Sequence, residues 1–435
     1  MKILTRPLLF SLLVSGLAVG LETAQAANTA GTLDMTFGMN GVAVTTLTNV
    51  SEGTSGIFPY SVELQSDGKI LVLVDVEGTN SAGIFFTTDV LRYTTAGALD
   101  TTFGNKGIVV LPTTVMAVAS MAVQSNGQIV VAGLSGFDGA TIEVQRLNTN
   151  GTIDKTFGTD GLAVANANRG TGPQLVVLIE SNGDILTVAQ LEPTGRRQPF
   201  QTFLARFTSN GELDTTFGTQ GTTIATAVGG CTALAELSTG EILVVNTPAV
   251  AQFTAKGTLE STVTGGTVIT SAATQDSGAP TVFQANGDYL FADQVFVGEE
   301  SRGHNSFVQV FRFTSTGAAD STFPNPSFHY EGTGGSGIEA IPNGIAVAPD
   351  GDIVIVGSQV TDHQSGPTTV NGLARLSPSG TLDSTFGNGG TVTNTVPAGT
   401  DGLDGVIIQP TDSKIVTVGV ANNDTALSVS RYLGK

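Results

Sequence analysis

The phrase Gly-x-Leu-Asp-x-Thr-Phe-Gly returns along almost the whole chain, and no other feature constrains the fold so strongly. The copies read GTLDMTFG at Gly31, GALDTTFG at Gly97, GTIDKTFG at Gly151 and GELDTTFG at Gly211. Weaker copies follow, GTLESTVTG at Gly257 and GAADSTFP at Gly317, and a clean GTLDSTFG closes the series at Gly380. The seven copies spread over 349 residues, about 58 per interval. Self-similarity at a fixed period of this kind means units that stack or are arranged radially.

Two further elements recur between the copies. One is a hairpin pattern: LQSDGKILVLV (64–74), VQSNGQIVVAG (123–133), IESNGDILTVA (179–189), ELSTGEILVVN (236–246), FQANGDYLFAD (283–293), VAPDGDIVIVG (347–357) and the irregular IQPTDSKIVTVG (408–419). Five carry Asp-Gly or Asn-Gly, a dipeptide that tolerates positive φ at both positions and so predicts a two-residue hairpin. The other is a short strand ending in Arg: VLRY, VQRL, LARF, VFRF, LARL and VSRY. Each unit thus holds four strands: one after the motif (GVAVTTL, GIVVLP), two in the hairpin and one carrying the Arg. The sequence predicts an all-β fold, a seven-bladed β-propeller of four-stranded antiparallel blades. The N-terminal motif supplies what the C-terminal SVSRYLGK lacks, so closure is expected by pairing of the N- and C-terminal strands. A parallel β-helix has no use for seven tight antiparallel hairpins, and tandem small sandwiches fit the pattern less well still.

The Gly-x-Leu-Asp-x-Thr-Phe-Gly string together with the Q-x-DGKI hairpin resembles the Delta-60 repeat of exported bacterial proteins. That resemblance spans residues 27–435 and implies a single seven-bladed propeller domain and export; it implies no activity. The fourth unit departs from it, with Glu260 for Asp, Val263 for Phe and Gln252 for Arg. The seventh hairpin departs as well, with Asp412-Ser413 where a Gly would follow.

Residues 1–26 read as a cleaved signal peptide. Lys2 and Arg6 precede an apolar run from Leu8 to Leu21, and Ala24 to Ala26 give a small-x-small cleavage site. An exported protein, extracellular or periplasmic, follows from this. Removing Lys2, Arg6 and Glu22 from 18 cations and 37 anions leaves 16 against 36, a net charge of −20. Such a surface repels nucleic acid and anionic membrane. No segment after the leader is long and apolar enough to span a bilayer. Cys231 is the single cysteine, so no internal disulfide framework exists.

A residue required in six of seven units is expected to be structural. On that ground Asp34, Asp100, Asp154, Asp214, Asp320 and Asp383 are expected to organise turns, accepting backbone N–H and Thr hydroxyl bonds two residues on. Arg92, Arg146, Arg206, Arg312 and Arg375 each precede a motif Asp by eight residues, and Arg431 would meet Asp34 across the closure. Gln252 and Glu260 lose both partners together. An Arg–Asp pair inside each blade follows; the competing reading has these Arg lining the channel and binding an anion. No cofactor is expected. A ring of calcium-binding turns is poorly supported, because each copy offers one carboxylate where Ca²⁺ takes about six to eight oxygens.

The up-down-up-down topology puts the hairpins and motif turns on one face and the variable loops on the other. Binding residues gather on such loops above a rigid scaffold. The candidates there are Arg196, Arg197, Glu299, Arg302, His304, Asp362 and His363, with Glu300 and His329 nearby. No nucleophile elbow, phosphate loop, dinucleotide fingerprint or zinc motif occurs. Trp is absent and Tyr scarce, which argues against sugar binding by aromatic stacking. The favoured expectation is a monomeric, non-enzymatic exported scaffold that binds a protein or cell-surface polymer through its variable loops. The alternative is a propeller hydrolase or lyase with a site in the central channel. His304, His329 and His363 standing far apart, together with a channel lined only by Val, Thr and Ala, would count against the alternative.

Overall fold

The hairpin repeats build strands that are buried on both faces. In Ile70–Asn80 the run Ile70 to Val76 is fully or almost fully buried, as expected of β-branched and aliphatic residues in a sheet covered on both sides. The computed structural model describes residues 29–47, 54–80, 83–112, 119–135, 141–168, 170–193, 195, 198–247, 249–263, 279–297, 305–331, 337–363, 366–394, 402–422 and 425–435. Among these the secondary structure is all β, and no helix is long and apolar enough to cross a membrane. The expected signal peptide lies outside the described residues.

The strands form antiparallel four-stranded groups, each in simple sequence order except the last. The first runs Thr54–Leu64, Ile70–Asn80, Gly83–Tyr93, Ile108–Val110. The second is Ala119–Val123, Ile129–Ser135, Thr141–Leu147, Leu162–Asn166. The third is Thr171–Ile179, Ile185–Leu191, Gln201–Phe207, Thr222–Ala225. The fourth is Ala233–Glu236, Ile242–Asn246, Ala249–Phe253, Leu259–Val263. An eight-stranded sheet follows, made of two such groups joined by one parallel bridge, Ser306 to Glu339. Its first group is Thr281–Phe283, Tyr289–Phe296, Ser306–Phe313 and Ser327–Phe328. Its second is Ile338–Val347, Ile353–His363, Gly366–Leu376, Thr391–Asn394. The last sheet holds Leu403–Ile408, Ile415–Ala421 and Ala426–Tyr432, with the N-terminal Val42–Thr46 as its fourth strand. Val42 pairs with Ser430 and Thr46 with Ala426.

Two local expectations are corrected. The strand after each motif joins the Arg strand before it, as Ile108–Val110 joins Gly83–Tyr93, rather than opening the next unit. The motif turn is short and bonded back on itself, Asp100 N–H to the Arg92 carbonyl at 2.8 Å, so it returns the chain antiparallel to where it came from. The hairpins are also not two-residue turns with both positions at positive φ. Only the Gly is left-handed, φ 81° at Gly68 and 84° at Gly127. Gly68 N–H bonds the Gln65 carbonyl and Gln65 N–H bonds the Lys69 carbonyl, both at 2.9 Å, which is the three-residue loop with a left-handed glycine. The preceding Asp or Asn braces the loop through its side chain, as where Asn126 Oδ1 accepts the Gln128 N–H at 2.9 Å. In the seventh hairpin Ser413 takes the left-handed place at φ 55°, with the loop one residue longer.

The core is divided into clusters between neighbouring sheets. Leu71, Leu73 and Val90 of the first meet Met121, Ile129 and Val131 of the second. Val72, Val74 and Leu91 on its other face meet Val416, Val418 and Leu427 of the last. The first strand of each group touches the first strands of its two neighbours.

Candidate functional site

Arg92 shows what the repeated motif does. Its Nε donates to Asp100 Oδ2 at 3.0 Å, its guanidinium lies 4.4 Å from the Phe103 ring centre, and its Nη1 reaches the Thr149 carbonyl of the next sheet. Asp100 Oδ1 meanwhile accepts the Thr102 N–H at 3.0 Å and its hydroxyl at 2.6 Å. The same Nε contact joins Arg146 to Asp154 and Arg206 to Asp214, each at 2.8 Å. Arg312 meets Asp320 at 2.7 Å, Arg375 meets Asp383 at 2.9 Å, and Arg431 meets Asp34 at 2.8 Å. Every one of these Arg lies over its motif Phe and donates to a carbonyl of the following sheet, as Arg146 does to Ser209 and Arg431 to Thr95. The motif backbone repeats the link: Gly104 N–H bonds the Asn150 carbonyl at 2.8 Å. A Cβ on Gly151 would stand 2.8 Å from that Gly104 nitrogen and 3.0 Å from Phe103, so the motif glycine is required by close approach.

The surroundings set the charge state of these carboxylates. Burial alone would raise the Asp100 pKa, but the Thr102 bonds and the charges of Arg92 and Lys69 outweigh it and bring the group down to about 2. Asp154 is held at about 2 by Thr156 and Arg146 against the same burial. Both oxygens of each motif Asp are occupied. Among the described residues no three His, Cys, Asp or Glu side chains gather as metal ligands would.

The variable-face candidates do not form a described constellation. Arg196, Arg197, Glu299, Arg302 and His304 lie outside the described residues. Asp362 and His363 end the strand Ile353–His363 and pair across a turn with Pro367 and Gly366. His329 follows Ser327–Phe328, presents its ring edge-on to Phe307 at 6.4 Å, and is pushed toward the neutral form by burial.

A cavity of about 260 Å³ lies among the first strands of the sheets. Its lining includes Pro59, Tyr60, Ser61, Val62, Thr232, Thr281, Ile345 and Asp404. Gly344 and Gly405 let neighbouring inner strands meet there: a Cβ on Gly344 would sit 3.4 Å from Gly405 Cα. Tyr60 stands at a bulge in Thr54–Leu64 and donates its hydroxyl to Asp75, which also accepts from Thr88 at 2.6 Å. Burial raises the Asp75 pKa despite these two bonds. The same sheet carries two more elevated carboxylates. Asp89 is driven up to about 6 by burial and by the nearby Asp75 charge. Glu63 keeps partial exposure, but the protein around it pushes its carboxyl up to about 7. Asp404 stands on the adjacent wall, in Leu403–Ile408. Sequence reasoning missed Tyr60, Asp75 and Asp404 because each occurs once, inside a strand. The available signal was Asp75 directly after the aliphatic run of its hairpin, where the second and seventh copies carry Leu134 and Val420.

A family model described as a domain of unknown function (DUF5122) beta-propeller matches residues 65–103, 124–157, 198–217 and 348–386. Three of these segments run from hairpin to motif Phe, and the match supports a β-propeller repeat family. No curated protein matches the sequence. Among solved structures, puromycin hydrolase is similar at 14% identity and TM-score 0.46, over 85% of this chain and 50% of its own. The Penicillium chrysogenum alpha-L-arabinanase complexed with arabinobiose is similar at 11% identity and TM-score 0.42, over 93% of this chain and 97% of its own. A polysaccharide lyase gives 8% identity and TM-score 0.42, over 87% and 90%. The neighbours named here are a hydrolase, an arabinanase and a lyase, so they run against the expectation of a non-enzymatic binding scaffold and lend it no support. At such identities and TM-scores no substrate and no residue role passes from them to this chain.

Proposed function

We propose that this chain is an exported seven-bladed β-propeller of Delta-60 repeats, closed by its terminal strands, that acts as a hydrolase or lyase in its central cavity. Counting the eight-stranded sheet as two groups gives seven, and the pairing of Val42–Thr46 with Ala426–Tyr432 supports closure. Lys2, Arg6, the run from Leu8 to Leu21 and Ala24 to Ala26 support export.

One observation carries the catalytic reading: a carboxylate, Asp404, and a phenol bonded to a second carboxyl, Tyr60 with Asp75, line adjacent walls of one cavity. The remaining lining is hydroxyls, aliphatics and backbone, so the cavity is not the inert channel that would count against an enzyme. Asp404 accepts a proton from a nucleophilic water or from a substrate carbon acid. Tyr60 turns its single O–H from Asp75 to the leaving oxygen, delivers the proton there and regains one from solvent after the product leaves, while Thr88 holds Asp75 in place. Positioned acid–base groups of this kind contribute about 10²–10⁴-fold each.

The test is an assay of the mature protein on neutral and uronate polysaccharides, reading new reducing ends for hydrolysis and ultraviolet absorbance of an unsaturated product for elimination. Asp404→Asn and Tyr60→Phe are each expected to lower kcat by about 10²-fold or more with the fold intact by circular dichroism. Turnover that is unchanged in both variants overturns the assignment.

A further inference from the structure

The second and third strands of the first sheet are 11 residues long, against 7 in each sheet beside it. These two strands, Ile70–Asn80 and Gly83–Tyr93, pair along their whole length, up to Asn80 with Gly83. Directly paired residues share one face of a sheet, and residues two apart stay on it. By that rule Phe58, Asp75 and Thr88 form one row, Glu77 and Phe86 the next, and Thr79 and Ile84 the last. The lowest row is anchored, since Asp75 and Thr88 are buried and bonded to each other. The upper rows are bare: Phe86 is 47% and Ile84 66% exposed. Phe58, 46% exposed, stands at the inner end beside Tyr60, which lines the cavity. The wall therefore runs outward from the cavity mouth, with apolar faces at both ends and the Glu77 carboxyl between them.

Large apolar groups held in water on one continuous wall are uncommon on a monomeric surface unless something covers them. The chain has 22 Phe and 5 Tyr, and most of those described are core. That Phe58, Tyr60 and Phe86 are exposed together beside the cavity is therefore a local property of this sheet. It also answers the compositional argument from missing Trp, because phenyl rings present the same kind of π-face.

We infer that this wall is a docking strip for a neutral polyhydroxylated chain, a glycan without carboxylate or sulfate groups, which it feeds toward the central cavity. The inference rests on the proposed hydrolase or lyase reading and narrows it to hydrolysis of neutral glycans. A sugar ring has an apolar C–H face and a hydroxyl rim. Phe58 and Phe86 meet the face, while Glu77, Tyr60 and the cavity's Ser61, Thr232 and Thr281 meet the rim. Charge decides against the anionic alternative: the chain carries a net −19, and no Lys, Arg or His is among the described cavity-lining residues. A polyuronate, the usual kind of substrate for elimination, would bring its carboxylates against Glu77 and Asp404 uncompensated. A polycation is served less well than a polyol, because the described lining has one carboxylate amid hydroxyls.

The experiment is affinity electrophoresis of the full mature protein in gels containing xylan, galactan or dextran, and in parallel polygalacturonate or alginate, with an oligolysine competitor. At least one neutral polymer is expected to retard the protein while both polyuronates do not. Phe86→Ala should weaken that retardation roughly tenfold, as loss of a central aromatic contact does. Ile84→Ser, at a position 66% exposed and so harmless to folding, should weaken it in the same direction. Asp404→Asn should still bind, and binding by the unaltered protein with no turnover of the bound polymer leaves the strip standing and removes the enzyme, which separates the two proposals. Retardation by polyuronates alone, displacement by oligolysine, or binding indifferent to both Phe86→Ala and Ile84→Ser overturns the inference.

Discussion

Arg146 is bonded to Asp154, lies over Phe157 and reaches the Ser209 carbonyl, all from a position 7% exposed. Removing it strands a buried carboxylate and a carbonyl at once. Arg146→Ala is expected to destabilise the protein by about 3–5 kcal/mol, the range for breaking one side of a buried pair, read as a lower urea midpoint with the slope unchanged. Arg146→Lys should recover part of this, since an ammonium restores the charge but not the planar fork. The eight-residue spacing of Arg and Asp was legible in the sequence, as was their joint loss at Gln252 and Glu260. The stacking on Phe and the reach into the next sheet were not, because a sequence shows what recurs but not what a recurring group faces across an interface. Tyr60 and Asp404 were hidden for the opposite reason: nothing repeats them.

At the scale of elements, six of the seven tight hairpins depend on one glycine each, and the seventh uses Ser413. A side chain at Gly127 has room, with its nearest neighbour 3.2 Å away, yet φ is 84°, where L-residues are strained. Gly127→Ala is expected to lose about 1–2 kcal/mol, whereas Gly195→Ala, with nothing within 4 Å and no left-handed backbone, should be neutral in the same thermal melt. The positions of the hairpins were readable from Asn-Gly and Asp-Gly, but their loop type was not. An Asn that accepts the N–H two residues on and an Asn at positive φ are written with the same letters. The fourth sheet shows how an element compensates: where Arg and Phe are lost, the join to Tyr289–Phe296 and Ser306–Phe313 is filled by rings, with Phe291 and Phe311 stacked at 5.0 Å and Tyr289 and Phe313 at 5.5 Å.

For the molecule as a whole, two sets of carboxylates pull stability in opposite directions with pH. Asp34, Asp100 and Asp154 have pKa values lowered by their partners, the latter two to about 2, so they bind fewer protons folded than unfolded. Their contribution is complete above about pH 4 and is lost as the pH falls toward 2. Glu63 and Glu180 are raised from 4.5 to about 7, and Asp89 from 3.8 to about 6, chiefly by burial. Glu180 is raised even with Arg206 at 3.8 Å, because that guanidinium is committed to Asp214 at 2.6 Å. These groups bind more protons folded than unfolded, so their contribution declines as the pH rises from about 4 to 7. The expected outcome is greatest stability near pH 4, with the melting temperature falling on both sides; a maximum near neutrality would contradict these assignments.

Chain termini are ordinarily the first places to fray. Here Gly31 N–H bonds the Leu433 carbonyl at 2.8 Å, and the two end segments are stitched into one antiparallel ladder. Among the described residues, fraying at either end has first to break this shared ladder. Loss of structure is therefore expected to begin in mid-sequence, at the fourth sheet, where Gln252 stands in place of the Arg clasp.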